Sequence, residues 1–309
     1  MNSSALQGIL PVLPTPFNES GVVDYSAMER VAQFCLEAGA NALVFPGVAS
    51  EYDFLERSER DELLEVVCRT AEGKVPVVCG GGKGTPEVIS ENIGRAQSLG
   101  ASAAMLLIPA QFSGDVSGAL DFVKSVISGT DGVSFVLQNA PTPIGAGLDA
   151  KDLLRIVEEC PEINYVKEEA LPSGPRITEV LASAPNHLTG VIGGGGARYL
   201  IDEMNRGAIA AMPAAEITDL HVKMWNAHVG ADMTLTRSLY MRSLPLLVIQ
   251  TIYRMRLTKY VLTERGVLSN SIVRAPLPGF DSYDRAEIAV QLESLSDLFE
   301  ISRLEESKV

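Results

Sequence analysis

The chain has 309 residues, enough to bury a large core as one big α/β domain or two smaller ones. Its 25 basic against 39 acidic residues leave a formal charge of −14, which repels a polyanion over most of the surface and excludes nucleic acid as the expected partner. No run approaches the ~20 apolar residues of a membrane span, and the start MNSSALQGILPVLPTPF lacks a basic n-region and a long apolar core, so a cytoplasmic protein without membrane attachment is expected.

Short β-rich runs alternate with longer helical patterns. In chain order the strand candidates are GILPVL (8–13), ALVFP (42–46), VPVVCG (75–80), AAMLLIP (103–109), VSFVLQ (133–138), INYVKE (163–168), HLTGVIG (187–193) and AIAAMP (208–213). Between them lie helix candidates at 25–38, 58–71, 86–99, 119–127, 150–159, 175–184 and 198–206. Thr85-Pro86 and Asp149 supply helix-start chemistry, while Gly39, Gly73, Gly100 and Gly207 stand where helices should stop. Strands this apolar, separated by helices, imply a parallel sheet covered on both faces. Eight such units most simply form a (β/α)8 barrel, with an open doubly wound sheet as the alternative. After about residue 225 the strand signal stops, so the expected organisation is a barrel over 1–225 and a C-terminal helical extension over 226–309 of the kind used for oligomer contacts.

The four cysteines sit at irregular spacings inside apolar segments and read as reduced core residues. The three histidines form no ligand pair, so no metal and no cofactor is expected. GGGKGT (80–85) follows a strand and opens a helix, yet it fits neither a Walker A loop nor G-x-G-x-x-G. GVIGGGGAR (190–198) is equally glycine-dense. It suits either a backbone cradle for a carboxylate, with Gly193 at its start, or a tight strand-to-helix turn.

The stretch EINYVKEEA (162–170) brings a lysine and two glutamates into what should be core. Alternation along a strand puts Tyr165, Lys167 and Glu169 on one face, and Val166 and Glu168 on the other. A lysine at the C-terminal mouth of a barrel strand loses solvation of its charged form, which favours the neutral amine that attacks carbonyls. A rim ion pair with Glu168 or Glu169 is the other reading of the same residues.

GILPVLPTPFNESGVVD, ALVFPGVASEYDFLERSER, VPVVCGGGKGTPE, LLIPAQF, FVLQNAP and NYVKEEA, in register over nearly the whole chain, resemble the dihydrodipicolinate synthase/N-acetylneuraminate lyase family. The resemblance implies a (β/α)8 barrel, a homo-oligomer (tetramer or dimer), a small-molecule 2-oxo acid substrate and a Schiff base on the sixth-strand lysine, here Lys167. It also matches Gly47-Val48-Ala49-Ser50-Glu51 to the family's G-T-T-G-E segment. The departures are chemical. Where the family carries Y-N-x-P this chain has Gln138-Asn139-Ala140-Pro141, the relay threonine and tyrosine are replaced by Val48 and Gln111, and the arginine that grips aspartate semialdehyde falls on Pro143.

The branch that this pattern resembles better is the 2-keto-3-deoxy-sugar-acid dehydratases, above all those acting on L-2-keto-3-deoxyarabonate, with Q-D-A-P, a Ser-Glu pair like Ser50-Glu51 and K-x-E like Lys167-Glu168-Glu169. That resemblance implies an iminium on Lys167, Glu169 as base at C3, Ser50 as a donor to the leaving hydroxyl and Gln138 orienting substrate hydroxyls. Gly47, Val48, Ala49, Glu51 and Asn139 then complete the substrate-binding set, with the amides of Val48, Ala49 and Ser50 holding the carboxylate. Two alternatives remain at this point: an aldolase of the same family that releases pyruvate, and a barrel that binds 2-oxo acids without catalysis.

Overall fold

The computed structural model describes residues 6–301. Residues 1–5, which open the stretch read above for a signal peptide, and 302–309, the end of the expected helical extension, lie outside the described residues.

Among the described residues the strands are β1 (Gly8–Ile9), β2 (Leu43–Val44), β3 (Val77–Gly80), β4 (Ala103–Leu107), β5 (Ser134–Asn139), β6 (Ile163–Glu168), β7 (Gly190–Gly193) and β8 (Ala210–Ala211). The helices α1 (Tyr25–Glu37), α2 (Arg57–Ala71), α3 (Pro86–Ser98), α4 (Val116–Ser128), α5 (Ala150–Glu159), α6 (Ser173–Ala182) and α7 (Leu200–Asn205) alternate with them. After β8 the chain is helical: α8 (Thr218–Val229), α9 (Met233–Tyr253), α10 (Met255–Glu264) and α11 (Ser282–Leu295). The class is α/β, with the eightfold strand-and-helix order of a (β/α)8 barrel. No helix of the described residues is long and apolar enough to cross a membrane.

The elements start and stop where local chemistry dictates. Asp149 accepts a hydrogen bond from the Asp152 amide at 2.8 Å and caps α5. At α3 the start comes from Pro86 at the first turn rather than from a Thr85 side-chain cap. Gly39 (φ +85°) and Gly207 (φ +96°) take the left-handed conformation that ends α1 and α7. Cys35, Cys68, Cys79 and Cys160 are buried and unbridged.

The chain divides into two compact units, one of residues 1–7 and 76–212, the other of 8–75 and 213–309. In the first, β3 to β8 pair in parallel in chain order, with Gln138 of β5 opposite Lys167 of β6 and Lys167 opposite Ile192 of β7. Phe135, Val136, Leu137, Ile163 and Val166 are all fully or almost fully buried, as expected for strands covered on both faces.

In the second unit β1 is cut short at Pro11, which has no N–H for a ladder, and pairing resumes at Val12, which bridges Val44 on one side and Ala214 on the other. Its central polar feature is Glu51, a left-handed residue (φ +59°) with a side chain 0% exposed. One carboxylate oxygen receives the Lys259 ammonium at 2.5 Å; the other accepts the amides of Arg274 at 2.7 Å and Ala275 at 2.8 Å. Burial pulls Lys259 down to about 8 against the opposing pull of Glu51, and the ammonium also lies over the Phe17 ring. The network ties the turn after β2 to α10 and to the segment that follows it. Replacing Lys259 by Met leaves a buried carboxylate without its cation, so we expect a loss of about 3–5 kcal/mol of stability and a smaller loss when Glu51→Gln is added, both read by denaturant unfolding. A Lys259→Met protein as stable as the wild type would overturn this role for the pair.

Candidate active site

The site is built on the C-terminal end of β6. Lys167 and Tyr165 point to one face of the strand, Glu168 and Val166 to the other, and Glu169, one residue past the strand, returns to the lysine's face. The Lys167 Nζ stands 3.4 Å from Glu169 Oε1, with side chains 5% and 18% exposed, and 3.9 Å from the Met105 Sδ of β4. Gln138 Nε2 donates to Glu169 Oε2 at 2.6 Å, and the Gly195 amide donates to Glu169 Oε1 at 3.4 Å. Burial pushes the Glu169 carboxyl up, but Lys167, Gln138 and the Gly195 amide outweigh it and hold the group below the ordinary glutamate range. At rest the pair is therefore a carboxylate beside a lysine, with one oxygen pinned by an amide that does not titrate.

The glycine run after β7 has a further reason to be glycine beyond turning. A Cβ on Gly194 would lie 2.4 Å from Glu169 Cγ and 2.5 Å from its Oε1, so the loop backbone can close on the carboxylate only without a side chain. Gly193 faces the opposite way. A Cβ there would lie 2.1 Å from Glu203 Oε2, which places this glycine against Glu203 of α7 rather than in a cradle beside Lys167.

On the opposite face of β6, Glu168 Oε1 accepts the Ala170 amide at 2.7 Å and its Oε2 accepts Asn139 Nδ2 at 2.9 Å. Asn139 also exchanges two 2.9 Å hydrogen bonds with the Leu148 backbone, so all of its polar reach is committed to holding the β5 loop. Asn139 was expected among the substrate-binding residues; the geometry gives it a framework role. Burial pushes Glu168 up to about 7.

The turn at 47–51 belongs to the other unit and closes on itself. Ser50, 0% exposed, donates its hydroxyl to the Leu13 carbonyl at 2.6 Å and accepts the Gly47 amide at 2.9 Å, and its own amide donates to the Gly47 carbonyl at 3.0 Å. Its proton, its acceptor and its amide are all engaged within the unit. The geometry thus favours Ser50 as part of the turn over Ser50 as a donor to a leaving group. Glu51 lies in the buried pair with Lys259 described above, with both oxygens taken.

Sequence reasoning brought Lys167, Glu169 and Gln138 to the place where they meet. It missed Met105 and Glu203. The alternation of AAMLLIP could have supplied Met105 once β4 was registered on β5, whereas Glu203 sits in a short helix with no motif around it. The segments at 82–86, 109–112 and 143–144, including Lys83, Gln111 and Pro143, line a groove of about 900 Å³ in the first unit.

The family model described as the dihydrodipicolinate synthetase family matches residues 5–295. An L-2-keto-3-deoxyarabonate dehydratase of Azospirillum brasilense is 27% identical over 296 residues, which cover 94% of this chain and 95% of that protein. A 4-hydroxy-tetrahydrodipicolinate synthase of Chloroherpeton thalassium is 24% identical, covering 96% of this chain and 97% of that protein. Among solved structures, a dihydrodipicolinate synthase of Rhodopseudomonas palustris aligns with a TM-score of 0.88 at 24% identity over 94% of this chain and 97% of that one, a likeness of fold. With a match that runs over nearly all of its length, the chain belongs to the dihydrodipicolinate synthetase family, a family of lyases.

Proposed function

We propose that the protein is a Schiff-base lyase that dehydrates a 2-keto-3-deoxy sugar acid, of the kind named for the Azospirillum brasilense relative. The observation that carries this reading is the 3.4 Å contact between Lys167 and Glu169, with Gln138 bound to the carboxylate from the position where the tyrosine of Y-N-x-P is expected. A phenol shuttles protons and an amide does not, so among the described residues the group beside the amine that is suited to carry a proton is Glu169.

The chemistry then runs through two residues. Lys167 condenses with the C2 carbonyl: two of the three ammonium protons go to the carbonyl oxygen, which leaves as water, and the nitrogen keeps the third as a cationic iminium. Glu169 removes a proton from C3, giving the neutral enamine. The enamine expels the C4 hydroxyl, which takes the proton held by Glu169 and departs as water. Gln138 keeps the carboxylate aimed and leaves its amide oxygen for a substrate hydroxyl. The proposed substrate is a small 2-oxo acid, and no cofactor enters any step.

A homo-oligomer remains part of the proposal. On α9 the exposed residues Met241 (71%), Val248 (52%) and Ile252 (56%) recur at helical spacing, and this unpaired apolar stripe supports contact with a second copy.

Four outcomes test the reading. Incubation with pyruvate or a 2-keto-3-deoxy acid followed by borohydride should add mass at Lys167; labelling at Lys83 instead, or nowhere in the wild type, would sink it. Glu169→Gln should retain that trapping while turnover falls by about 100-fold or more, the scale of a lost general base. Condensation of pyruvate with aspartate semialdehyde should be slow, and Gln138→Tyr alone should not restore it, because Val48 and Gln111 stand where the rest of the relay would be. The product separates dehydration from aldol cleavage: loss of water without release of pyruvate is expected.

A further inference from the structure

Behind the site, on the helix side of the β6 and β7 ends, Glu203 of α7 is 1% exposed. Its Oε1 accepts the Ser173 hydroxyl of α6 at 2.8 Å, while its Oε2 is buried with no hydrogen-bond partner and lies where a Cβ on Gly193 would be, 2.1 Å away. Gly193 leads into Gly194 and Gly195, the two residues that close on Glu169 from the other side. The glycine turn is thus held between two carboxyl groups, Glu203 at the back and Glu169 at the front.

The two buried acids at the back are not equivalent. Glu168 accepts hydrogen bonds on both oxygens, from Asn139 and from the Ala170 amide, and these work against the upward push of its burial. Glu203 has one acceptor contact and one bare oxygen pressed on backbone. An ionised oxygen there has nothing to replace its water, whereas a hydroxyl is far less costly to bury.

We propose that Glu203 is a positioning residue for the reaction at Lys167, an uncharged carboxylic acid that, braced by Ser173, holds the Gly193–Gly195 turn so that the Gly195 amide meets Glu169. This rests on Glu169 being the base, as proposed above. The charged neighbours act in one direction. Glu168 and Glu169 from β6 and its end, and Asp202 from α7 itself, all oppose ionisation of Glu203. Asp202 is paired with Arg206, the residue that follows α7, and Arg176 of α6 acts on Glu168. Burial leads these effects and pushes Glu203 up to about 7, with the Ser173 hydrogen bond working against it. Ionisation above that point puts an unsolvated charge against Gly193, which loosens the turn and with it the hold on Glu169.

The test compares wild type, Glu203→Gln and Glu203→Ala. Glutamine keeps the shape and the acceptor for Ser173 and cannot ionise. Its kcat should stay within about threefold of wild type near pH 6 and should persist on the alkaline side, where the wild type declines. Alanine removes the brace, so kcat should fall at every pH by about tenfold or more with KM little changed, while borohydride trapping at Lys167 survives. A readout that needs no reaction accompanies these. Because the folded-state pKa of Glu203 is raised, its contribution to stability is present at low pH and is lost as pH rises from about 4.5 to about 7. The Tm of Glu203→Gln should therefore rise relative to wild type across that window and then run parallel. Superimposable pH profiles for wild type and Glu203→Gln, a glutamine variant as damaged as the alanine one, or a Tm difference flat with pH would each overturn the inference. Absence of a trapped imine in the wild type would instead overturn the proposed function, while the Tm comparison would still decide the state of Glu203.

Discussion

The contact between Lys167 and Glu169 is the constraint that the rest of the site serves. Two residues apart at the end of one strand, they share a face, and both are nearly out of water. A buried ion pair is held only if its remaining valences are satisfied, because desolvation of two charges rivals their attraction. The neighbours fit that requirement. Gln138 donates to one carboxylate oxygen, the Gly195 amide approaches the other, and Gly194 gives up its side chain so that the loop can come close. Met105 packs its thioether against the amine, which fills the wall there without offering a competing charge.

Three glutamates lie within this small region, and their surroundings separate them. Glu169 is held below the ordinary range by the lysine and two donors, while Glu168 and Glu203 are pushed to about 7 by burial. Environments that drive like groups apart in pKa assign them different tasks. On the proposed path the front carboxylate accepts a proton from substrate. The rear pair contacts the backbone that frames the lysine's face: Glu168 through Asn139 and the β5 loop, Glu203 through Ser173 and against Gly193 of the β7 turn.

Much of this was legible in the sequence, and the limit has a physical form. Strand and helix order follows from apolar periodicity and caps, local properties that a single chain displays. Lys167 and Glu169 were legible because a period of two fixes the shared face whatever the fold does elsewhere. Ser50, Asn139 and Glu51 were not, because what a polar side chain does depends on where its partner comes from. Lys259 and the Arg274 and Ala275 amides reach Glu51 from more than 200 residues away, and the Leu13 carbonyl takes the Ser50 proton. In the family's own motif these positions look like ligands; in this chain their side chains also bond within the fold. Glu203 had no local signal, since its meaning comes from a glycine on a neighbouring strand.

The same pair explains how one carboxyl can both take and return a proton once the tyrosine is absent. What holds Glu169 ionised, against its burial, is first the charge of Lys167. On the proposed path the lysine nitrogen is cationic as an iminium, then neutral as an enamine, then cationic again when the C4 hydroxyl leaves. Each change acts on Glu169 in the useful direction. Forming the enamine removes the charge that depressed its pKa, so burial takes over and the carboxyl keeps the C3 proton. Expelling the hydroxyl restores the cation, and the carboxyl becomes acidic as the departing oxygen becomes basic. Aldol cleavage would make the same demand on this carboxyl, a proton taken from the C4 hydroxyl of the charged iminium and returned to carbon as the enamine becomes cationic again, so the charge cycle serves either outcome and the released product tells them apart. A glutamate whose acidity rises and falls with the nitrogen's charge serves each proton transfer of the proposed path, and the glutamine bound to it holds the carboxylate without adding a titrating group.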